Sequence, residues 1–338
     1  MKHLRIVYLA IGAAILALIA FKTNLSEAWA MTLQIGWGFA VVLALFLVEF
    51  IFMSQTWHLT FTSIPQSWRW AYRLWKVRMV GEAFNMATPL AMMGGEPVKA
   101  LILKKHYGIG YVEGVASLVT SRTTIVIALV VFLASGFALM FGTPSVSPSF
   151  RASAGLGLAI FTGAILAFFL VQRFKLFSRT GQLFKRGGVG RFLAQIHQTE
   201  DKLIEFYTKR RARFAVACLL ALGHWVLGVV TIYYTFRFLG HPVSLTEAWV
   251  MEAFTQLVRA TTFFIPANIG TQEGAFVVIV SAVTGDPTLG LAVAMVRRGR
   301  EIVWVVWGLA LGWRYLGGRL TPDEEMLKLA DTGAEPGT

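Results

Sequence analysis

Long apolar runs separated by polar stretches dominate the chain, and this pattern predicts membrane-spanning helices. A hydrocarbon core about 30 Å thick requires roughly 20 apolar residues in a helix. Six predicted spans approach or reach that length, at residues 6–21, 35–53, 115–140, 154–171, 214–236 and 302–311 with its flanks. We therefore expect an all-α integral membrane protein with about six transmembrane helices.

The composition supports this interpretation. Hydrophobic residues make up 56% of the 338 residues and charged residues only 14%, whereas soluble proteins carry about 25% charged residues. The first apolar run follows the basic start "MKHLR" without a small-residue cleavage site, so we expect a retained span. The single cysteine, Cys218, lies in an apolar run and excludes a disulfide within the chain.

The net charge of +13 is concentrated in two regions, residues 69–105 and the loop at 173–213. Lysine and arginine are enriched in cytoplasmic loops, so both regions are expected on the cytoplasmic side. With the N-terminus inside, six crossings also place the tail, residues 321–338, in the cytoplasm. The basic regions indicate topology and attraction to anionic lipids rather than binding of nucleic acid.

The stretch "QSWRWAYRLWKVRM" shows helical spacing of aromatic and basic residues. Trp68, Tyr72 and Trp75 share one face, while Arg73 and Lys76 lie on another. This pattern predicts an amphipathic helix at the cytoplasmic surface, where it would anchor the protein.

Two segments, 81–136 and 251–312, resemble each other. Each opens with Glu-Ala-Phe and continues through a proline, glycine and glutamate, an apolar half-helix, a glycine-containing break and a span with an arginine. We expect one polytopic domain, residues 1–320, built from repeats at about 4–140 and 153–317. Three crossings in each repeat make the second one inverted, and the breaks predict two re-entrant hairpins facing a cavity.

Glu96 and Glu273 occupy matching positions at the start of the two half-helices. A carboxylate in the first turn stabilises a helix without any ligand, so a purely structural role stays open. The alternative is a functional carboxylate that takes up a proton or faces a cation. Nearby glycines permit tight turns and close backbone approach, namely Gly94, Gly95, Gly270 and Gly274.

Arginines lie within or beside the apolar segments at Arg122, Arg259, Arg297, Arg298 and Arg300. An arginine at the membrane centre costs about 2.5–3.5 kcal/mol, so such residues usually face a pathway or a partner. Arg297 and Glu301 are four residues apart and are expected to pair on one helix face. Two hypotheses remain for Arg122 and Arg298. They hold an anionic head group with free helix N–H groups, or they cross-link the repeats through the paired glutamates.

No sequence motif indicates an enzyme. The chain contains no Gly-x-Ser-x-Gly, no HExxH and no P-loop. The basic loop is too short to fold as a catalytic domain. We therefore expect no cofactor, no metal site and no enzymatic activity.

Two glycine–glutamate elements, "PLAMMGGEPVKALIL" and "FFIPANIGTQEGAF", together with "MVRRGRE", resemble the flippase-like membrane domain of the lysylphosphatidylglycerol synthase superfamily. The resemblance covers about residues 4–317. Within the superfamily, "GGEPVKA", "IPANIGTQEGAF" and "RRGRE" are most similar to the membrane protein associated with hopanoid biosynthesis clusters.

By this resemblance, the two motifs comprise Gly94, Gly95, Glu96 and Lys99, and Pro266, Gly270, Gln272 and Glu273. Two positions depart from the family pattern. Ala267 stands where the family often has glycine, and Lys99 stands where arginine is common, which weakens a bidentate phosphate contact. Only a short acidic tail follows Leu320, so the aminoacyl-transfer domain of some relatives is not expected.

The resemblance implies a bacterial inner-membrane protein that moves or presents a lipid. We expect a flippase-like transporter that holds a phospholipid, polyprenyl-linked or hopanoid head group in a midplane cavity between the repeats. Two alternatives stay open, a non-catalytic scaffold of lipid biosynthesis and a membrane-embedded lipid-modifying enzyme. The expected partners are membrane lipids and enzymes of lipid biosynthesis.

Overall fold

Helices form the framework of the computed structural model, which describes residues 13–87, 94–143, 147–173 and 205–316. The longer ones are α1 Ala13–Lys22, α2 Leu25–Gln34, α3 Gly38–Thr60, α4 Trp68–Ala87, α5 Gly95–Tyr107, α6 Tyr111–Phe141, α7 Pro148–Arg173, α8 Arg211–Phe238, α9 Leu245–Thr261, α10 Thr271–Thr284 and α11 Pro287–Leu316. A 3₁₀ turn, Pro266–Asn268, joins α9 to α10. These ranges contain no β-strand, so the expected all-α membrane fold is confirmed.

Four of these helices are long and apolar enough to cross a membrane: α3, α6, α8 and the Pro148–Ala167 part of α7. Each contains most or all of one predicted span. Helix α1 is apolar but shorter over the part described, and the 30-residue α11 carries several charges near its middle. The start of the first predicted span, loop residues 174–204 and the tail at 321–338 lie outside the described residues.

The stretch between the first two predicted spans contains a further helix, α2. The Asn24 side chain accepts a hydrogen bond from the backbone N–H of Glu27 at 3.2 Å and so caps its first turn. Ala28 on α2 is fully buried beside Ile19 and Leu291. This N-cap and the apolar contact explain why the stretch folds as a helix that packs against α11.

The predicted surface helix is the first half of the longer α4. Trp68 and Tyr72 are exposed as expected, but Leu74 and Val77 are fully buried. The guanidinium of Arg73 lies 5.5 Å from the ring centre of Tyr107 at the end of α5. The stretch therefore begins exposed and continues into the helix bundle, because the helix extends to Ala87 without a break.

Helices α3 and α8 pack along each other, and several of the other contacts occur in matching pairs. Helix α4 packs on α5, and α9 packs on α10; α5 packs on α6, and α10 packs on α11. Across the halves, α4 packs on α11 and α9 packs on α6. These matching pairs are compatible with the predicted repeat, whose bounds stay a prediction.

The alanine of each Glu-Ala-Phe sequence lies beneath a glycine of the other half. A Cβ added to Gly308 on α11 would lie 2.6 Å from the Cβ of Ala83, and one on Gly136 of α6 would lie 2.4 Å from the Cβ of Ala253. Small residues let helix backbones approach closely in membranes. The shared Glu-Ala-Phe sequence therefore places a small residue at each of these helix crossings.

Two apolar clusters surround the short helices. The larger joins α3 and α6 to α8–α11 and includes the fully buried Phe132, Phe236 and Phe276. The other joins α3, α4 and α5 around Trp57 and Leu103. Charged residues near the starts of α5 and α10 are therefore held between packed helices.

Candidate functional site

The first candidate site lies where the start of α5 meets α6. Glu96 is the second residue of α5, and Arg122 lies eleven residues into α6. The Arg122 Nη2 atom donates to Glu96 Oε1 at 3.1 Å. Residues 26 positions apart meet because the chain runs along α5, turns at 108–110 and returns along α6. Arg122 stays half-exposed, with 46% of its side chain accessible, in a highly apolar helix.

Lys99 links this pair to helix α4. Its Nζ atom lies 3.0 Å from Glu96 Oε1 and 2.8 Å from Glu82 Oε1, and its side chain is only 2% exposed. Arg78 approaches Glu82 Oε1 at 3.6 Å. A buried lysine between two carboxylates has its charge compensated, so Lys99 serves here as a structural connection.

Close backbone approach brings α4 and α5 together. A Cβ on Gly95 would lie 1.8 Å from the carbonyl oxygen of Gly81, and a Cβ on Gly81 would collide with the side chain of Lys99. Asn85 Oδ1 accepts a hydrogen bond from the backbone N–H of Gly95 at 2.7 Å. The helix start is thus capped from α4, and Gly94 is its N-cap residue. The preceding residues 88–93, including Pro89, lie outside the described residues.

The second candidate site repeats this arrangement at the start of α10. Arg298 lies eleven residues into α11, and its Nε atom donates to Glu273 Oε1 at 2.9 Å. The other carboxylate oxygen of Glu273 accepts from the backbone N–H of Gly270 at 2.8 Å. Glu273 therefore caps its helix and binds an arginine at the same time. Gly270, with φ of 80°, is the N-cap residue, and Thr271 is the first residue of the helix.

Arg298 is held more tightly than Arg122. Its Nη1 atom donates to Glu301 Oε2 at 2.9 Å and to the carbonyl oxygen of Ala267 at 3.1 Å. The Gln272 amide also donates to Glu301 Oε2 at 3.3 Å. Only 23% of the Arg298 side chain is exposed, so its hydrogen-bonding groups are largely occupied within the protein.

The 3₁₀ turn that begins at Pro266 has strained backbone geometry. Ala267 and Asn268 have φ of 50° and 49°, in the left-handed region that favours glycine. The turn packs against α4 of the other half, and Asn268 and Pro266 are buried. The departure from the family's Pro-Gly pattern therefore falls at a position where glycine suits the backbone.

The expected pairing of Arg297 with Glu301 is a minor contact. Arg297 makes two hydrogen bonds to the carboxylate of Glu252, at 2.7 and 3.3 Å, while its Nε atom is 4.0 Å from Glu301. Arg259 has no carboxylate oxygen within 4.0 Å among the described residues. Sequence spacing alone missed the contact with Glu252, which lies on another helix.

The glutamate–arginine pairs form within each half, whereas one of the two hypotheses placed them as cross-links between the repeats. A contact that does join the halves is between Arg300 and Glu49, at 3.8 Å. Glu49 also accepts a hydrogen bond from Thr231 at 2.7 Å. A cavity of about 20 Å³ lies beside these groups, enough for about one water molecule. Glu49 is an isolated acid within an apolar predicted span, and this sequence signal could have identified the contact.

The described residues contain no group of three or more histidine, cysteine, aspartate or glutamate side chains that could hold a metal ion. The candidate sites consist of cations, carboxylates and backbone groups. Their chemistry is ion pairing and hydrogen bonding, which suits an ionic or polar ligand.

Comparison with known proteins shows which family the chain matches. The family model described as "Lysylphosphatidylglycerol synthase TM region" matches residues 5–309. The chain belongs to this family. It is also similar to a UPF0104 membrane protein from Methanothermobacter thermautotrophicus, with 24% identity over 245 residues. That match covers 67% of this chain and 70% of the relative. No solved structure matches the chain. The narrower resemblance to the hopanoid-associated branch stays a prediction.

Proposed function

We propose that this protein transports lipids across the membrane by holding their polar head groups at the starts of α5 and α10. The observation that supports this most directly is the pair of matching contacts, Glu96 with Arg122 and Glu273 with Arg298. Each joins the start of a short helix to the middle of a long one. Broken helices with ion sites at their ends are a recurring feature of membrane transporters.

The depth of the arginines supports a transport pathway. At 1.5 Å per residue, eleven residues place each arginine about 16 Å from the start of its helix, which is about half the thickness of a hydrocarbon core. A half-exposed arginine at that depth is unfavourable in contact with lipid tails. Arg122 would instead face water or a lipid head group, and the apolar tails would remain in the surrounding membrane.

Competition for the arginines provides a mechanism. An anionic head group that approaches Arg122 would replace part of its contact with Glu96. The guanidinium would keep an anionic partner throughout, so the free-energy cost of binding and release would be low. The paired helix contacts between the halves suit a rocking motion that exposes the site to each side in turn. The sequence has no P-loop, so a gradient or mass action would supply the energy.

The test is lipid movement in sealed vesicles that contain the purified protein. Fluorescent phosphatidylglycerol in the inner leaflet is protected from dithionite, and transport makes it accessible. We expect the wild-type protein to accelerate loss of the protected fluorescence. Arg122→Gln should reduce this rate at least about tenfold, because one charged contact is worth about 1.5–3 kcal/mol.

Arg237→Gln is the matched control, because Arg237 is an exposed arginine at the end of α8. It should transport like the wild type. Vesicles in which the folded wild-type protein moves no lipid would contradict the proposal and favour the scaffold hypothesis. Formation of a modified lipid in detergent would instead support the membrane-embedded enzyme.

A further inference from the structure

The two clusters differ in charge balance. The first contains three cations and two carboxylates, whereas the second contains four of each. The first set is Arg78, Lys99, Arg122, Glu82 and Glu96; the second is Arg259, Arg297, Arg298, Arg300, Glu49, Glu252, Glu273 and Glu301. One positive charge in the first cluster is therefore not balanced within it, which favours an anionic ligand.

Arg122 is the member of the first cluster that can reach a ligand. A guanidinium has five N–H donors, and among the described residues only Glu96 accepts one from Arg122. The side chain is 46% exposed, in contrast to the 5% of Arg78 and 2% of Lys99. A phosphate group offers the acceptor geometry that a guanidinium binds best.

Glu96 places a second requirement on the ligand. Its Oε1 atom accepts from both Lys99 and Arg122, whereas its Oε2 atom is buried and has no donor among the described residues. A buried carboxylate oxygen without a hydrogen bond is costly. The Glu96 side chain as a whole is 21% exposed beside Arg122. A ligand that carries its own N–H or O–H donor next to a phosphate would satisfy Glu96 and Arg122 together once the carboxylate turns its Oε2 atom towards this exposed side.

We infer that the cluster around Glu96 and Arg122 selects phosphodiester lipids whose head group carries a hydrogen-bond donor. Glycerol and ethanolamine head groups meet this requirement through hydroxyl and ammonium groups. Choline does not, because its nitrogen carries only methyl groups. The inference rests on the proposed function for the location of the head group, but it concerns selectivity of binding rather than movement.

Binding of short-chain lipids to the detergent-solubilised full chain tests this selectivity. Isothermal titration would compare dihexanoyl phosphatidylglycerol, phosphatidylethanolamine and phosphatidylcholine, with inorganic phosphate as a further ligand. We expect the first two lipids to bind about tenfold more tightly than the choline lipid, a difference of about 1.4 kcal/mol. Inorganic phosphate that binds as tightly as the glycerol lipid would overturn the assignment to a lipid.

Two variants separate the two contacts. Arg122→Gln should weaken all three lipids at least about tenfold. Glu96→Gln should remove the preference between ethanolamine and choline lipids while phosphate binding is retained. Arg237→Gln is the control and should keep both affinity and preference. Gel filtration and circular dichroism establish that each variant is folded, and Arg122→Lys keeps the charge if the glutamine variant fails to fold.

The outcomes distinguish this inference from transport. Equal affinity of the wild type for all three lipids would overturn the selectivity even if the vesicle assay shows lipid movement. Selective binding that depends on Glu96, without movement in vesicles, would support the head-group site and contradict the transporter proposal.

Discussion

The two glutamate–arginine contacts occupy the same positions in their halves, yet their surroundings differ. Arg122 binds Glu96 and is half-exposed, whereas Arg298 binds Glu273, Glu301 and the backbone of Ala267. Glu273 also caps its own helix, while the start of α5 is capped by Asn85 from α4. The same contact is thus accessible in one half and enclosed by further hydrogen bonds in the other.

The largest effect is expected from the buried, doubly hydrogen-bonded pair of Arg297 and Glu252. Glu252→Gln should lower the free energy of unfolding by about 3–5 kcal/mol, because Arg297 would keep a buried charge without its main partner. The corresponding change in the first half, Glu82→Gln, should cost about 1–2 kcal/mol, since the Glu82 side chain is 26% exposed. Unfolding in detergent followed by tryptophan fluorescence measures both. Equal losses would contradict the difference between the halves.

The arginines themselves should separate stability from transport. Arg298→Gln removes several hydrogen bonds and should cost about 2–3 kcal/mol. Arg122→Gln should cost about 1 kcal/mol or less because a half-exposed pair contributes little. The same unfolding measurement, combined with the vesicle assay, tests whether Arg298 contributes more to stability and Arg122 more to transport. A large loss of stability in Arg122→Gln would show that both arginines are structural.

The two glycine–alanine helix crossings between the halves can be tested by pairing a destabilising substitution with a compensating one. Gly136→Ala should cost about 1–3 kcal/mol through overpacking, and Ala253→Gly should recover much of this loss because Ala253 Cβ is the closest obstacle. Gly308→Ala is the matched case. There Ala83→Gly should give little recovery, since the backbone oxygen of Met79 also lies 2.6 Å from the added Cβ. Thermal denaturation of the single and double variants measures the coupling.

A small gain in stability is expected at the strained turn. Ala267→Gly should raise the free energy of unfolding by about 1 kcal/mol, because glycine adopts a φ of 50° without steric cost. Ala260→Gly within α9 is the control and should lower stability by about 0.5–1 kcal/mol. If both changes lower stability, then the strain at Ala267 is not released by glycine.

The sequence identified the four residues at matching positions of the two segments, but it did not predict that they pair within each half. Glu96 and Arg122 meet because a short helix, a break and a longer returning helix together determine which residues face each other, and the same holds for Glu273 and Arg298. The contact of Arg297 with Glu252 spans 45 residues and crosses between helices, so helical periodicity could not reveal it. Helix α2 escaped prediction because its apolar face is short and its stability depends on packing against α11.

The position of Ala83 beneath Gly308 also has a consequence for biosynthesis. Helix α4 is made early, but the surface that covers Ala83 belongs to α11, the last of the described helices. At roughly 5–20 residues per second, the ribosome makes the second helix roughly tens of seconds after the first. During that interval α4 lacks the surface of α11 that later covers Ala83. The first half therefore completes its packing only after α11 has been made.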